Sequence, residues 1–328
     1  MRFNQQHGEH VLFYKKIAKQ IALILFAAGI IGMLLPGRES GAPLMRSIQE
    51  ISIAGHILIF FVGAYALYAF HPGLEARPFH IQFLVLLTSA LLVGITIEGL
   101  QFFIPGRTGS PRDAAANIMG AMLFLSLKNL RTTTRFILLH LAVAVITGLL
   151  LWPFARAVSD GIAAYRQFPL LAGFETPFEA TRFIRGTGRF SVSDEYAYTG
   201  KKSLRVIFGT QAYSGIAMEH MPGSWQGFSH LQFAVYNPQE KEVTLHTRIH
   251  DALHAKSERM IYADRFNRTF SLPPETWTVI QIPLAQIKNA PRTREMDMEK
   301  ISSIGFFVAR ETVSVTLYID EIRLKNKQ

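Results

Sequence analysis

Apolar residues run almost unbroken through the first half of the chain and alternate singly with polar ones through the second. Five stretches, 17–35, 51–70, 79–104, 114–127 and 136–152, reach or approach the ~20 apolar residues that a bilayer-crossing helix needs. The fourth is short and rich in small residues, Ala114, Ala115, Ala116, Gly120 and Ala121, which suit close packing against other helices. Further on, the runs 203–208, 231–236, 243–249, 279–282 and 315–319 have the period of strands, with Gly, Pro, Asn and Asp turns between them. A helical cue is confined to 297–301. The pattern predicts an all-α polytopic membrane bundle of five transmembrane helices over 1–155, a linker over 156–169 that could hold a surface helix, and an all-β jelly-roll sandwich over 170–328.

Charge sets the orientation, because cytoplasmic loops retain lysine and arginine. Arg2, Lys15, Lys16 and Lys19 precede the first span, and Lys128, Arg131 and Arg135 lie between the fourth and fifth. The opposite side holds Arg38, Arg46, Arg107 and Arg112. The N-terminus is therefore expected in the cytoplasm of a bacterial cell, and five spans would place the sandwich outside the cytoplasmic (inner) membrane, periplasmic or extracellular. Residues 34–39 offer no small-x-small cleavage site, so the first span is expected to stay as an anchor.

The rest of the composition narrows the chemistry. With no cysteine, the chain has no disulfide, thiolate nucleophile or thiolate metal ligand. A net charge of +10 suits anionic lipid, and no basic tract interleaved with aromatics points to nucleic acid.

Polar residues inside the apolar runs fall at one depth. His56 lies about 7 Å into the second span, at 1.5 Å per residue. Glu98 lies near the outer end of the third span, with Asp113 and Asn117 at the start of the fourth. Glu98 and Gln101 share a helix face, as do Asp113, Asn117 and Gly120. Asp113 can cap its helix, Asn117 can bond across helices, and Arg107 and Arg112 can neutralise acids and touch headgroups. The alternative is a site in which Glu98 acts as general acid or base, His56 assists, Asp113 contributes, and Arg107 and Arg112 hold an anionic headgroup. Both readings remain open.

At these residues the chain resembles the VanZ-like, or teicoplanin-resistance, membrane proteins. Their pattern of histidine, Glu-x-x-Gln, Pro-Gly-Arg turn, Asp-x-x-x-Asn and a later glycine is met by His56, Glu98, Gln101, Pro105, Gly106, Arg107, Asp113, Asn117 and Gly120. Where the family commonly has an aspartate-lysine pair before the histidine, this chain has Ser52 and Ile53. The resemblance covers about residues 15–150 and implies a link to glycopeptide antibiotic resistance, with no settled reaction.

The second half resembles the galactose-binding-like jelly rolls of carbohydrate-binding modules. Phe174-Glu175, Gly200 to Leu204, Trp225, Trp277 and the closing Tyr318-Ile319-Asp320-Glu321-Ile322 carry the likeness. It implies carbohydrate binding, and Glu175 with Asp320 resemble such modules' structural calcium pair. Trp225 and Trp277 fit core packing or sugar platforms equally by type, and their apolar neighbours favour the core. The polar runs 248–254 and 264–268 supply donors and acceptors for a hydroxyl-rich ligand. Arg248, His250, Asp251, His254, Asp264 and Arg265 are the candidate glycan-binding residues there, and a solvated salt-bridged hairpin is the alternative. Three functions follow: a membrane protein of the cell envelope whose sandwich binds cell-wall or exported polysaccharide, an enzyme on a lipid-linked envelope substrate, and a non-catalytic scaffold.

Overall fold

The computed structural model describes residues 2–34, 45–104, 110–129, 136–257 and 261–326. The first half forms five helices: α1 (Arg2–Met33), α2 (Met45–Phe70), α3 (Phe79–Gln101), α4 (Pro111–Asn129) and α5 (Ile137–Gln167). Pro78 and Pro111 open α3 and α4, where a missing N–H leaves no helical bond unmade. Among the described residues, four helices are long and apolar enough to cross a membrane, over Lys16–Met33, Glu50–Phe70, Phe79–Gln101 and Ile137–Gln167.

The fourth of the five expected spans is not among them. Its helix, α4, carries Arg112, Asp113, Asn117 and Lys128, and it lies inside the bundle, with Ala116, Asn117, Gly120, Ala121 and Leu125 buried. Small residues make that position possible. A Cβ on Gly120 would stand 2.2 Å from the carbonyl oxygen of Ile57, so only glycine lets α4 come this close to the backbone of α2. Around α4, Phe60, Leu86, Ile97 and Leu125 fill the core, and Phe124 meets Phe61 and Tyr68 edge to face. Buried polar groups are paired across helices: Tyr68 donates to Gln82 at 2.7 Å, and Ser126 Oγ meets His140 Nδ1 at 2.8 Å.

The chain divides into two units, with the boundary between Ala155 and Arg156 except that the short stretch 40–47 is grouped with the second. Residues 156–167, expected as part of a linker, are helical, because α5 continues to Gln167. Pro153 removes one backbone bond locally, and Ala155, Ala157, Ala163 and Ala164 then favour continued helix.

The second unit is an antiparallel β-sandwich. Its strands are β1 (Leu170–Ala172), β2 (Phe183–Arg185), β3 (Arg189–Ser193), β4 (Ser203–Phe208), β5 (Tyr213–Met218), β6 (His230–Asn237), β7 (Val243–Asp251), β8 (Phe266–Leu272), β9 (Thr276–Pro283), β10 (Ile301–Ala309) and β11 (Val315–Lys325). One sheet runs β3-β4-β11-β6-β9, with β1 added beside β11, and the other runs β2-β5-β10-β7-β8. Alternation directs Leu204, Val206, Phe233, Val235, Leu317 and Ile319 of the first sheet inward, against Leu245, Ile249, Ile304 and Phe306 of the second. Phe233 and Phe306 pack edge to face with ring centres 5.1 Å apart. The second, five-stranded sheet therefore turns its other set of residues away from the core.

Candidate functional site

That outward set forms a groove of about 910 Å³. Its shape follows from register. Gly215, Phe307, His246 and Thr269 are successive partners across β5, β10, β7 and β8, and Ala217, Gly305, Arg248 and Asn267 form the next row. Glycine and alanine in the middle strands leave a low floor, while larger side chains rise on both sides. Phe307 stacks on His246 at 5.0 Å with an interplanar angle of 13°, and the exposed Tyr213 ring meets Phe307 edge-on at 6.1 Å. At the other wall the Arg265 guanidinium lies 5.4 Å from the centre of the exposed Tyr262 ring. Aromatic faces beside guanidinium and amide groups can stack on a sugar ring and bond its hydroxyls together.

Of the six residues expected to bind glycan, Arg248 and Arg265 line this groove. Asp251, His254 and Asp264 are bonded into a network with Arg294, and the buried His250 ring packs 4.9 Å from that of His254. Asp251 accepts from the His254 amide at 3.0 Å and so caps the one-turn helix Ala252–Ala255. Arg294 donates to both oxygens of Asp251 and both of Asp264, and His254 Nδ1 lies 3.2 Å from Asp264. Burial alone would raise the Asp251 carboxyl, but bonds from Arg294 and from the Asp297 and His254 amides hold it below its ordinary value. Bonds from Arg294 likewise lower Asp264, against a smaller effect of burial. His250 is pushed down to about 3, first by burial and then by the positive groups around it, and so is neutral. Asn267 belongs to the polar run 264–268, whereas Tyr213, His246 and Phe307 carry no ligand-binding signal in their local pattern; the cross-strand partners that bring them together are distant in sequence.

Replacing Arg294 by alanine should cost the sandwich roughly 2–3 kcal/mol at neutral pH, less than a fully buried pair because the arginine is partly exposed. Since both carboxylates are lowered on folding, the bridge contributes fully above the ordinary aspartate value of about 3.9, and the contribution is lost as pH falls through the lower folded values. Denaturant unfolding of wild type and Arg294→Ala should therefore differ at pH 7 and converge in acid. An undiminished gap well below pH ~3 would contradict the assignment.

The helical unit gathers its own polar residues. His56 Nδ1 donates to Asn117 Oδ1 at 2.7 Å, which turns Nε2 toward Asp113 Oδ2 at 3.9 Å. Glu98 Oε2 accepts from the Ser110 amide at 3.2 Å, and its buried Oε1 has no hydrogen-bond partner. Glu98 also lines an otherwise apolar cleft of about 530 Å³ with Leu91, Ile95, Phe102 and Phe103. Gln101 donates to the Met33 carbonyl at 2.9 Å, and Arg112 Nη2 stands 3.6 Å from Glu50 Oε2. Arg107 lies outside the described residues.

Glu175 and Asp320, the expected calcium pair, both fasten the turn 198–202. Glu175 Oε1 accepts from the Lys201 and Lys202 amides, and Asp320 Oδ2 from those of Tyr198 and Thr199. A cation site needs oxygen donors, whereas these carboxylates meet backbone N–H groups. Among the described residues no group of three or more His, Asp or Glu could hold a metal ion. As placed, the two residues do not fit calcium. Burial, helped by the neighbouring Glu321, raises the Asp320 carboxyl to about 6 despite its amide bonds. Trp225 is core, with Nε1 donating to the Pro222 carbonyl, and the half-buried Trp277 packs on Tyr236 and Tyr198.

No family model and no curated protein matches the chain. Among solved structures it is similar to an exo-beta-agarase, at 15% identity and TM-score 0.39, over 48% of this chain and 25% of that one. It is also similar to a family 11 carbohydrate-binding module from Clostridium thermocellum in complex with a beta-1,3-1,4-mixed-linked tetrasaccharide. That likeness has 18% identity and TM-score 0.37, over 48% of this chain and 94% of the module. The chain thus spans a quarter of the agarase's length.

Proposed function

We propose that the protein is a membrane-anchored glycan-binding protein of the cell envelope, whose five-stranded sheet holds a segment of polysaccharide. The groove carries this reading: a glycine floor at Gly215 and Gly305, ring walls at Tyr213 and Phe307, and polar groups at Arg248 and Asn267 are the surface a sugar chain requires. Anchoring is supported by the four long apolar helices. In this reading α4 makes a fifth passage. Its 19 residues extend about 28 Å at 1.5 Å per residue, near the thickness of the hydrocarbon layer, its mid-helix polar residues Asn117 and Ser126 are buried, and Arg112 and Lys128 lie near its two ends. An odd number of passages with a cytoplasmic N-terminus puts the sandwich outside, where envelope polysaccharide is. The motif of His56, Glu98, Gln101, Asp113, Asn117 and Gly120 supports a VanZ-like bundle as the anchor.

Oriented membrane vesicles carrying the full chain test the reading. Right-side-out vesicles should retain labelled envelope polysaccharides, inverted vesicles should not, and Tyr213→Ala with Phe307→Ala should weaken retention at least ~10-fold, as expected for lost stacking surfaces. Retention by inverted vesicles alone would overturn the orientation. Absence of retention in both, and by the detergent-solubilised protein, would overturn glycan binding.

A further inference from the structure

Among the described residues, two arginines in the groove lack the ion-paired acids that two other arginines of the sandwich have. Arg182 is met by Asp160 and Glu179, and Arg294 by Asp251 and Asp264. Among the described residues Arg248 and Arg265 make no ion pair, and the buried Nε of each has no hydrogen-bond partner. They are near enough for Arg248 to disfavour the charged form of Arg265, after the larger effect of burial. Burial disfavours the charged form of Arg248 as well, and Glu219, which makes no ion pair with it, offsets part of that effect. Arg268 adds a third guanidinium, bonded through Nη1 to the neutral Gln286 at 2.9 Å, and no acidic side chain lines the groove among the described residues.

Holding like charges together, partly desolvated and with no acid in ion-pair contact among the described residues, is unfavourable. A protein keeps such an arrangement where a ligand supplies the missing charge. The geometry also suits an anion. Arg248 lies over Gly305, where a Cβ would come within 3.2 Å of Nε, so the glycine leaves room for the guanidinium to lie low on the floor. Arg265 is held against the Tyr262 ring on the adjoining wall. Guanidinium groups grip carboxylate oxygens in pairs, and a neutral sugar would leave both charges unmatched.

We propose that the groove takes an acidic polysaccharide, with sugar carboxylates held by Arg248 and Arg265 and sugar rings resting on Tyr213 and Phe307. The proposal rests on the glycan-binding reading and narrows it to a ligand class. The three guanidinium groups of the groove would speed the approach of such a polyanion, and the interaction would weaken as salt rises.

The test uses the full chain in detergent micelles and oligomers of polygalacturonate, alginate and hyaluronan, each paired with its carboxyl-reduced, neutral form, plus a sulfated galactan. Calorimetry should show at least one acidic oligomer binding ~10-fold or more tightly than its reduced partner, the scale of a gained charge-assisted pair. Arg248→Gln with Arg265→Gln should abolish that preference without lowering the melting temperature, whereas Lys201→Gln with Lys202→Gln, outside the groove, should keep it. Tight binding of the sulfated galactan alone would replace carboxylate by sulfate and overturn the carboxylate assignment. Reduced oligomers binding as well as acidic ones would overturn acidity and leave the glycan groove standing. Failure of every oligomer to bind the folded protein would remove the glycan reading itself.

Discussion

Replacing Arg182 by methionine should destabilise the sandwich by roughly 3–5 kcal/mol, the cost of taking one partner from a buried ion pair. The side chain is fully buried. Its Nε lies 3.0 and 3.2 Å from the two oxygens of Asp160, and Nη2 2.9 Å from the first. Nη1 donates to the Leu171 carbonyl at 2.5 Å, and Glu179 stands 4.0 Å away. Methionine fills much of the volume but leaves the Leu171 carbonyl without this donor and removes the positive charge beside two acids. Glu179 itself stays in place, because its oxygens accept from the Gly173, Phe174 and Thr176 amides. Unfolding in denaturant, followed by tryptophan fluorescence from buried Trp225, gives the measurement. Arg182→Lys should recover only part of the loss, since one ammonium cannot reproduce the planar fork. A loss below ~1 kcal/mol for methionine would show the pair to be energetically neutral.

The second large effect is expected at Gly120. An alanine there puts a methyl group 2.2 Å from the Ile57 carbonyl oxygen and 3.0 Å from its carbon, and the obstacle is backbone that no rotamer change can move. Helices α2 and α4 would have to separate, at the 1–3 kcal/mol or more typical of overpacking. Gly99 on α3 has open space around its would-be Cβ, so Gly99→Ala should be neutral or gain about 0.5–1 kcal/mol from helix propensity. Thermal denaturation of the two variants in the same detergent should separate them clearly. Equal melting temperatures would mean that the approach of α2 to α4 can relax without cost.

Much of the fold is written in local periodicity, which is why the expected runs 203–208, 231–236, 243–249, 279–282 and 315–319 lie within β4, β6, β7, β9 and β11. The polar layer was also readable, because His56, Glu98, Gln101, Asp113 and Asn117 interrupt apolar helices at similar depth. Helix α4 was legible at 114–127 as a short helix of small residues, and it falls outside the four long apolar spans for a physical reason: an enclosed helix uses small and polar residues where a lipid-facing one needs long apolar chains. The groove was legible only in part. Arg248 and Arg265 stand in a polar run, but Gly305, which gives Arg248 its floor, comes from another strand. At Asp251 and Asp264 the same run left the salt-bridged alternative open, because Arg294, which closes their network, is about thirty to forty residues further along the chain. The helical cue at 297–301 failed because Asp297 Oδ1 accepts the Glu299 amide at 3.0 Å, a turn that competes with helix.

The two glycines of the groove floor differ in how freely they can change. At Gly215 a side chain would strike the Phe306 carbonyl at 2.8 Å and the Phe307 Cβ at 2.6 Å, so this position is fixed by the pairing of β5 with β10. At Gly305 the nearest obstacle is the Arg248 side chain, which can swing away. One glycine therefore preserves the sheet while the other, one row along, is open to variation. Descendants of this protein could reshape what they recognise at 305 while the architecture beneath stays the same.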